Sequence, residues 1–152
     1  MGATLLVNDR VDVALAVGAD GAQLREDSID VARARAILGA DALIGVSRHV
    51  GSPGSEESAD FVVFGAVYRT GSHAGGVPAG VEGLSGASGV RRRPSEKALP
   101  LIAIGGITPD RVAEVIAAGA YGVAALSGIW DGGRQAVAAY VAELGSNTVA
   151  DA

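Results

Sequence analysis

Leu101-Ile-Ala-Ile-Gly-Gly-Ile-Thr-Pro-Asp110 joins a short apolar run to the start of a helix through two glycines. The run Leu101–Ile104 has the length and composition of a strand buried on both faces. Thr108 suits an N-cap, Pro109 the first helical position, and Asp110 the positive end of the helix dipole. The stretch therefore predicts a strand, a sharp turn and a helix, the unit from which parallel α/β folds are built.

The two glycines of this turn predict an anion-binding site. Gly105 and Gly106 allow the backbone to turn sharply and to approach a ligand closely, and N–H groups at the start of a helix hold anions. A second short strand followed by a glycine-containing turn is predicted in Tyr121-Gly-Val-Ala-Ala125 and the segment after it, Leu126-Ser-Gly-Ile-Trp130. Two successive strand ends of this kind resemble the phosphate site after strands seven and eight of a (β/α)8 barrel.

The alternation of strand and helix patterns runs along the whole chain. It predicts six strand–helix units with parallel strands and right-handed crossovers. Such units build either a doubly wound open sheet or a closed barrel, and the pattern alone leaves both folds open. The predicted strands are Thr4–Val7, Gly21–Leu24, Ala42–Val46, Asp60–Gly65, Leu101–Ile104 and Tyr121–Ala125. The predicted helices are Arg10–Val17, Ile29–Leu38, a short one near Gly54–Ser58, a weak one after Val81, Pro109–Ala118 and about Gly133–Leu144.

An internal repeat supports this prediction. Asp9-Arg-Val11 precedes Gly18-Ala-Asp-Gly-Ala22, and Asp110-Arg-Val112 precedes Gly119-Ala-Tyr-Gly-Val123 at the same spacing. Both segments are interpreted as a helix that ends at Gly-Ala and leads into the next strand. One supersecondary unit is therefore used at least twice.

The composition narrows the function classes. Nearly half of the residues are apolar and glycine is abundant, which is typical of an α/β protein with many turns. A net charge of −5 and few aromatic residues argue against nucleic-acid binding. We interpret the one basic run, Arg91-Arg-Arg93, as a solvated loop or helix face.

Further features bear on location and domain organisation. The chain has no cysteine, which excludes disulfides and thiolate metal sites. It has no apolar run of membrane-spanning length and no signal-peptide pattern, so we expect a cytoplasmic protein without a membrane partner. We predict one domain over residues 1–145 and a flexible tail over residues 146–152.

Five motifs, in the same order along the chain, cover about residues 4–130 and resemble the thiamine-phosphate synthase/TenI family. They are Leu6-Val-Asn-Asp-Arg-Val-Asp-Val-Ala-Leu-Ala-Val-Gly-Ala-Asp-Gly21, Ile44-Gly-Val-Ser-Arg-His49, Ala59-Asp-Phe-Val-Val-Phe-Gly65, Ile102-Ala-Ile-Gly-Gly-Ile-Thr-Pro109 and Gly119-Ala-Tyr-Gly-Val-Ala-Ala-Leu-Ser-Gly-Ile129. The resemblance implies a TIM-type (β/α)8 barrel that binds hydroxyethylthiazole phosphate and, in the synthase, an aminopyrimidine diphosphate.

The resemblance also implies that this chain begins at the third strand of the family and lacks counterparts of two N-terminal units. Six units do not close an eight-stranded barrel. We therefore expect a fragment, a misassigned start, or strands supplied by another subunit, and we expect a homo-oligomer.

The resemblance assigns a phosphate site and its neighbours. Residues that match the family's thiazole-phosphate contacts are Gly105, Gly106, Ser127 and Gly128. Ser47 matches a position near the substrate, with capping as the alternative role. Thr70 matches a hydroxyl that holds the diphosphate in synthases.

A magnesium site is expected only for a synthase. Asp9 matches a family metal ligand, and Mg²⁺ favours few carboxylates combined with substrate oxygens. Ungapped alignment places Ser28 at the second ligand, whereas Asp27 fits with a shift of one residue. The alternatives are an N-cap role for Asp9 in the helix Arg10–Val17 and a cap of the next helix for Asp27 or Ser28.

The catalytic residues stay unassigned. The tautomerase histidine of TenI-like proteins corresponds to Ala66, which has no titratable group. The candidate acid–base residues are His49, after a strand, and His73, in the loop where synthases carry a lysine. Arg69 is the alternative cation in that loop.

The sequence therefore favours a TenI-like protein that binds a thiazole phosphate. The alternatives are a thiamine-phosphate synthase, a catalytically inactive phosphate-binding or regulatory relative, and a phosphate-binding barrel of another pathway. The segment Ser127-Gly-Ile-Trp130 and Gln23 favour the TenI-like branch. No lysine follows a strand, which argues against an aldolase that forms a Schiff base.

Overall fold

The computed structural model of the chain describes residues 2–52, 58–71, 76–87 and 98–147. The chain divides into two compact units. The first unit contains the chain up to Val63 and a segment that ends at Leu99, and the second starts at Phe64 and resumes at Pro100.

Among the described residues, six strands and five helices alternate except between the third and fourth strands, which confirms the predicted α/β class. The strands are β1 (Leu6–Asn8), β2 (Gly21–Leu24), β3 (Leu43–Arg48), β4 (Phe61–Gly65), β5 (Leu101–Ile104) and β6 (Gly122–Ala124). The helices are α1 (Val11–Val17), α2 (Val31–Leu38), α3 (Gly80–Ala87), α4 (Val112–Ala117, after a 3₁₀ turn at Pro109–Arg111) and α5 (Ser127–Asn147).

In the first unit, β1, β2 and β3 pair in parallel and follow the chain order. Leu6 pairs with Gly21, which in turn pairs with Leu43. Gly21 has to be a glycine because a Cβ at this position would overlap the backbone of Leu43. The core of the unit lies between these strands and their helices. Its buried side chains are Val11, Ala14, Ala22, Leu24, Val31, Ala34, Ile44, Val46, Ala59, Val62 and Leu99.

In the second unit, β5 and β6 pair in parallel, with Ile102 opposite Gly122. The buried side chains of this unit are Phe64, Val67, Leu84, Leu101, Ala103, Ile107, Val112, Val115, Ala120 and Tyr140. We predicted burial on both faces of β5, and this is wrong at its end, where Ile104 is 37% exposed. Because successive strand side chains alternate in direction, only the face of Leu101 and Ala103 is fully covered.

The internal repeat is present as one geometry in both units. The N–H of Asp20 donates to the carbonyl of Leu5, and the N–H of Tyr121 donates to the carbonyl of Leu101, over 2.9 and 2.8 Å. Each helix ends at a glycine with positive φ, which leads the chain into the next strand. Thus the repeat predicted from the sequence is confirmed in structure.

The start of the last helix differs from the sequence prediction. We expected it at about Gly133, but α5 begins at Ser127 and leaves the helical conformation only at Gly133, where φ is 55° and ψ is −143°. Two helical segments therefore meet at Gly133. The low helix propensity of the glycines in this region hides the first segment from a reading of the sequence.

Other predictions lie outside the described residues. These are the short helix near Gly54–Ser58 apart from Ser58 itself, the basic run Arg91-Arg-Arg93, and residues 148–152 of the predicted tail. Within the described segments, no helix combines the length and the apolar character needed to cross a membrane.

Candidate functional site

The glycine turn after β5 is packed against the loop that follows β4. Gly105 and Gly106 have φ values of 101° and 62°, a region that favours glycine. A Cβ on Gly105 would lie 2.5 Å from the Ala66 methyl, and one on Gly106 would lie 2.5 Å from the Arg69 carbonyl oxygen. Both glycines are therefore required by the close approach of the protein's own backbone.

Three successive carbonyl groups of this turn accept hydrogen bonds. The N–H groups of Val67 and Tyr68 donate to the carbonyls of Ile104 and Gly105, each over 2.9 Å. The carbonyl of Gly106 accepts from Nη1 of Arg111, also over 2.9 Å. The turn is thus held by backbone on one side and by a guanidinium on the other.

Arg111 belongs to a cluster with Tyr68 and Glu114. Its guanidinium lies 4.3 Å from the centre of the Tyr68 ring, in a cation–π contact. The Tyr68 hydroxyl donates to Glu114 over 2.8 Å. Burial and the nearby Glu114 carboxylate raise the pKa of Tyr68 to about 12. The cluster therefore ties α4 to the loop that follows β4.

Thr108 occupies the predicted N-cap position, but its side chain caps no backbone N–H. Its hydroxyl instead hydrogen-bonds the Asp110 carboxylate, which lowers the pKa of Asp110. The local signal therefore placed the helix start correctly and assigned the wrong partner to the hydroxyl.

The second predicted phosphate segment meets the turn through one side chain. Ser127 and Gly128 open α5 and are exposed. The hydroxyl of the buried Tyr140 donates to the carbonyl of Ile107 over 2.7 Å, and a Cβ on Gly128 would lie 2.6 Å from that hydroxyl. The structure therefore brings together the two segments that the sequence proposed as one anion site.

The loop after β4 contains three further positions from the sequence prediction. Ala66 is half-buried and carries no titratable group, Arg69 is exposed, and Thr70 is half-buried. His73 lies outside the described residues, and its proposed role stays a prediction.

In the first unit, Asp9 contacts Ser28, the residue that an ungapped alignment with the family places at the second metal-ligand position. The Ser28 hydroxyl donates to Oδ1 of Asp9. Asp9 has a φ of 63°, and its N–H donates to the Gln23 carbonyl over 2.8 Å. The structure places Arg10 at the N-cap of α1, and Asp30 caps α2. The alternative capping roles of Asp9, Asp27 and Ser28 are therefore wrong.

Asp27 has a different partner from Asp9 and Ser28. Its carboxylate pairs with Arg25 over 2.6 Å, and both side chains are more than half exposed. Within the described residues, no group of three or more His, Cys, Asp or Glu side chains is arranged to hold a metal. The metal role expected for Asp9 from the sequence stays a prediction.

Ser47 joins a polar contact at the ends of β2 and β3. Its hydroxyl accepts from the Gln23 side-chain amide over 3.1 Å. Oε1 of Gln23 is buried and has no hydrogen-bond partner within the part of the chain that the structure describes. Ser47 therefore contacts another strand, which sequence reasoning missed because the two residues lie 24 positions apart.

His49 is exposed beside an acidic side chain. Its Nε2 lies 3.9 Å from a carboxylate oxygen of Glu26, and its backbone N–H donates to the Ser52 hydroxyl. The geometry of these contacts gives His49 an acidic neighbour, and its catalytic role stays a prediction.

Sequence reasoning missed Tyr68, Arg111, Glu114 and Tyr140 as parts of the site. The Asp-Arg-Val repeat marked the position of Arg111 but did not show which carbonyl its side chain contacts. Tyr68 and Tyr140 come from distant positions along the chain, and no local pattern shows that Glu114 accepts from Tyr68.

A family model described as thiamine monophosphate synthase matches residues 1–129. The putative thiamine-phosphate synthase of Geobacter sulfurreducens is 46% identical over 133 residues, which are 84% of this chain and 59% of that protein. The thiamine-phosphate synthase of Moorella thermoacetica is 39% identical over 132 residues, which are 84% of this chain and 60% of that protein. This chain thus spans about three fifths of the length of these relatives.

A solved structure shows the same fold. Thiamine phosphate pyrophosphorylase from Pyrococcus furiosus aligns with a TM-score of 0.67 and 33% sequence identity, over 95% of this chain and 67% of that one. This likeness confirms the predicted fold class, an α/β protein of the TIM-barrel type. Because the family model matches most of the residues, the chain belongs to the thiamine monophosphate synthase family.

Proposed function

We propose that this chain acts in thiamin biosynthesis as a thiamine-phosphate synthase, joining an aminopyrimidine diphosphate to a thiazole phosphate. The single observation that carries the proposal is its identity to relatives named thiamine-phosphate synthase, 46% and 39% for the two described above. The sequence motifs alone favour a TenI-like tautomerase. These relatives favour the synthase alternative instead.

Ala66 agrees with this choice. A tautomerase needs an acid–base group within hydrogen-bond reach of its substrate, and the TenI-like histidine is replaced here by a methyl group. That methyl group packs against the glycine turn at Gly105.

In this proposal the second unit holds the phosphate of the thiazole. The donors are the backbone N–H groups of Gly105 and Gly106 and the hydroxyl of Ser127, and Gly128 allows close approach. Backbone donors in a glycine-rich turn favour an anion because their dipoles are fixed by the fold. The fixed carbonyl groups of the turn support this role.

In this proposal the first unit would hold the diphosphate with a magnesium ion. Asp9 and Ser28 are the protein ligands in this proposal, since their oxygens are in contact and Asp27 is paired with Arg25. When bound, Mg²⁺ neutralises charge on the diphosphate and stabilises it as a leaving group. Asp9 orients the ion, and Ser28 orients the Asp9 carboxylate.

A catalytically inactive binding protein is the second candidate. One observation favours it: Asp9 is the only carboxylate of the Asp9–Ser28 pair. Such a protein binds the thiazole phosphate without turnover.

The full chain tests both candidates in one series. Calorimetry measures binding of hydroxyethylthiazole phosphate and of the non-phosphorylated alcohol, and chromatography then measures thiamine phosphate formed with the aminopyrimidine diphosphate and Mg²⁺. Magnesium-dependent product formation supports the synthase. Phosphate-dependent binding without product supports the inactive binder, and a folded chain that does neither contradicts both.

A further inference from the structure

The two copies of the internal repeat differ by an insertion. Leu5 and Asp20, which hydrogen-bond through their backbones, are 15 positions apart, and the equivalent Leu101 and Tyr121 are 20 positions apart. From the Asp-Arg-Val motif onward the two copies keep the same spacing. The five additional residues therefore lie between the strand and the helix, over residues 105–109.

This inserted turn is anchored at four successive carbonyl groups. Those of Ile104 and Gly105 accept from the backbone of the loop after β4, as described above. The other two are held by side chains. Arg111 donates to the Gly106 carbonyl over 2.9 Å, and Tyr140 donates to the Ile107 carbonyl over 2.7 Å.

Fixed carbonyl groups also fix the N–H groups of the same peptides. In a trans peptide the C=O and the N–H share one plane and point in opposite directions. The Arg111 contact therefore directs the N–H of Ile107 away from the guanidinium. The Tyr140 contact directs the N–H of Thr108 away from the tyrosine in the same manner.

The corresponding arginine of the first copy has a different contact. Arg10 pairs with Asp12 over 2.5 Å, and both side chains are about two thirds exposed. Arg111 is instead half-buried between the Tyr68 ring and the Gly106 carbonyl. The same position of the repeat thus contacts the turn only in the copy that carries the insertion.

We propose that Arg111 and Tyr140 are positioning residues of a phosphate-binding turn, acting through the carbonyls of Gly106 and Ile107. The inference rests on the proposed function, since it assumes that this turn binds phosphate. Neither side chain needs to contact the ligand. Their role is to hold the N–H groups of Ile107 and Thr108 in a fixed direction, so that these two extend the donors of Gly105 and Gly106 and binding does not require the turn to become ordered.

The test follows the N–H groups themselves. The full chain is labelled with ¹⁵N, and the amide signals of Gly105, Gly106, Ile107 and Thr108 are recorded during titration with hydroxyethylthiazole phosphate and with inorganic phosphate. The variants are Tyr140→Phe, Arg111→Gln and Arg111→Lys. Matched controls are Tyr121→Phe, a tyrosine that is 75% exposed, and Arg134→Gln, an exposed arginine of α5.

We expect phosphate to shift these amide signals in the unchanged chain. Tyr140→Phe and Arg111→Gln should alter the signals without ligand and raise the dissociation constant about fivefold, the loss that one hydrogen bond predicts. Arg111→Lys should behave like Arg111→Gln, because an ammonium keeps the charge but not the planar contact with Tyr68. Both control variants should bind phosphate as the unchanged chain does.

Each outcome separates the two ideas. If the unchanged chain shows no response to either phosphate ligand, the proposed function is wrong, and the positioning role falls with it. If the unchanged chain responds but Tyr140→Phe binds equally well, or Arg111→Lys restores full affinity, only the positioning role is wrong. Denaturant unfolding of each variant identifies any that fails to fold, and Arg111→Lys then carries the test in place of Tyr140→Phe.

Discussion

The Arg35 guanidinium lies 2.6 Å from the carboxylate of Asp60 and links α2 to the residue that precedes β4. The same guanidinium donates to the backbone carbonyls of Ala40, Ala42 and Ser58 over 2.7 to 2.9 Å. Both charged side chains are only about a quarter exposed. This arrangement satisfies the arginine at several points and fixes the connections around β3.

Arg35→Ala is expected to lower the free energy of unfolding by about 2 kcal/mol, because it removes the cation beside a partly buried carboxylate and the donor to several carbonyls. The matched control is Arg33→Ala on the same helix. Arg33 pairs with Asp30 in a largely exposed ion pair, so its loss should cost about 0.5 kcal/mol or less. Urea unfolding measures both, and equal effects would contradict the role of Arg35.

Gly128→Ala should destabilise the second unit. The new Cβ would lie 2.6 Å from the Tyr140 hydroxyl, so the tyrosine has to move away from the Ile107 carbonyl. We expect a loss of about 1 to 2 kcal/mol in the free energy of unfolding. Gly145→Ala in the same helix has no atom within 4 Å of its Cβ and should stabilise by about 0.5 to 1 kcal/mol. Thermal unfolding should therefore show a lower melting temperature for Gly128→Ala and a higher one for Gly145→Ala than for the unchanged chain.

Asp9→Asn should abolish magnesium-dependent binding of inorganic diphosphate, since it removes the carboxylate of the Asp9–Ser28 pair. Asparagine tolerates the positive φ of residue 9, so the fold should be kept. Asp27→Asn is the matched control and should bind as the unchanged chain does. Calorimetry with and without Mg²⁺ compares them. A similar loss in both variants would instead support the metal site of Asp9 and Asp27 expected from the sequence, and unchanged binding in Asp9→Asn would contradict both sites.

The stability of the protein should fall in alkaline solution because of Tyr68. Its pKa rises from 10.0 to about 12 on folding, chiefly through burial and also through the Glu114 carboxylate. Between these pH values the unfolded chain has lost the phenolic proton and the folded chain keeps it, so stability decreases as pH rises through this window.

Tyr68→Phe removes this contribution and should flatten the alkaline decline. Tyr140 adds a decline of the same sign, since burial also raises its pKa. Tyr121→Phe serves as the exposed control. The measurement is the urea midpoint of each variant between pH 10 and about 12. If Tyr68→Phe loses stability with rising pH as steeply as the unchanged chain, another group causes the decline.

Much of the fold could be predicted because its signals are local. The bounds of β2 and β5 agree with the prediction, since charged residues flank β2 and Pro100 and Gly105 flank β5. The repeat was visible because both copies use the same residues at the same spacing. The start of α5 was missed because glycines that are poor helix formers occupy its first turns.

The candidate site was predicted only in part. Gly105 and Gly106 were expected to approach a ligand and Gly128 to contact phosphate, and these roles stay predictions. What the structure brings close to these three glycines is the protein's own Ala66, Arg69 and Tyr140. The choice between Asp27 and Ser28 as neighbour of Asp9 could not be made from spacing. It depends on how the chain turns after β2, where Asp27 takes Arg25 as its partner.

The sequence by itself determined the order of strands and helices, the repeat and the glycine turn, because each depends on residues near one another along the chain. The tertiary structure alone decided which groups hold that turn. Arg111 contacts Gly106 and Tyr68, and Tyr140 reaches Ile107 across 33 positions of sequence. Such contacts follow from packing, which brings distant residues to hydrogen-bond distance and leaves no local pattern in the chain.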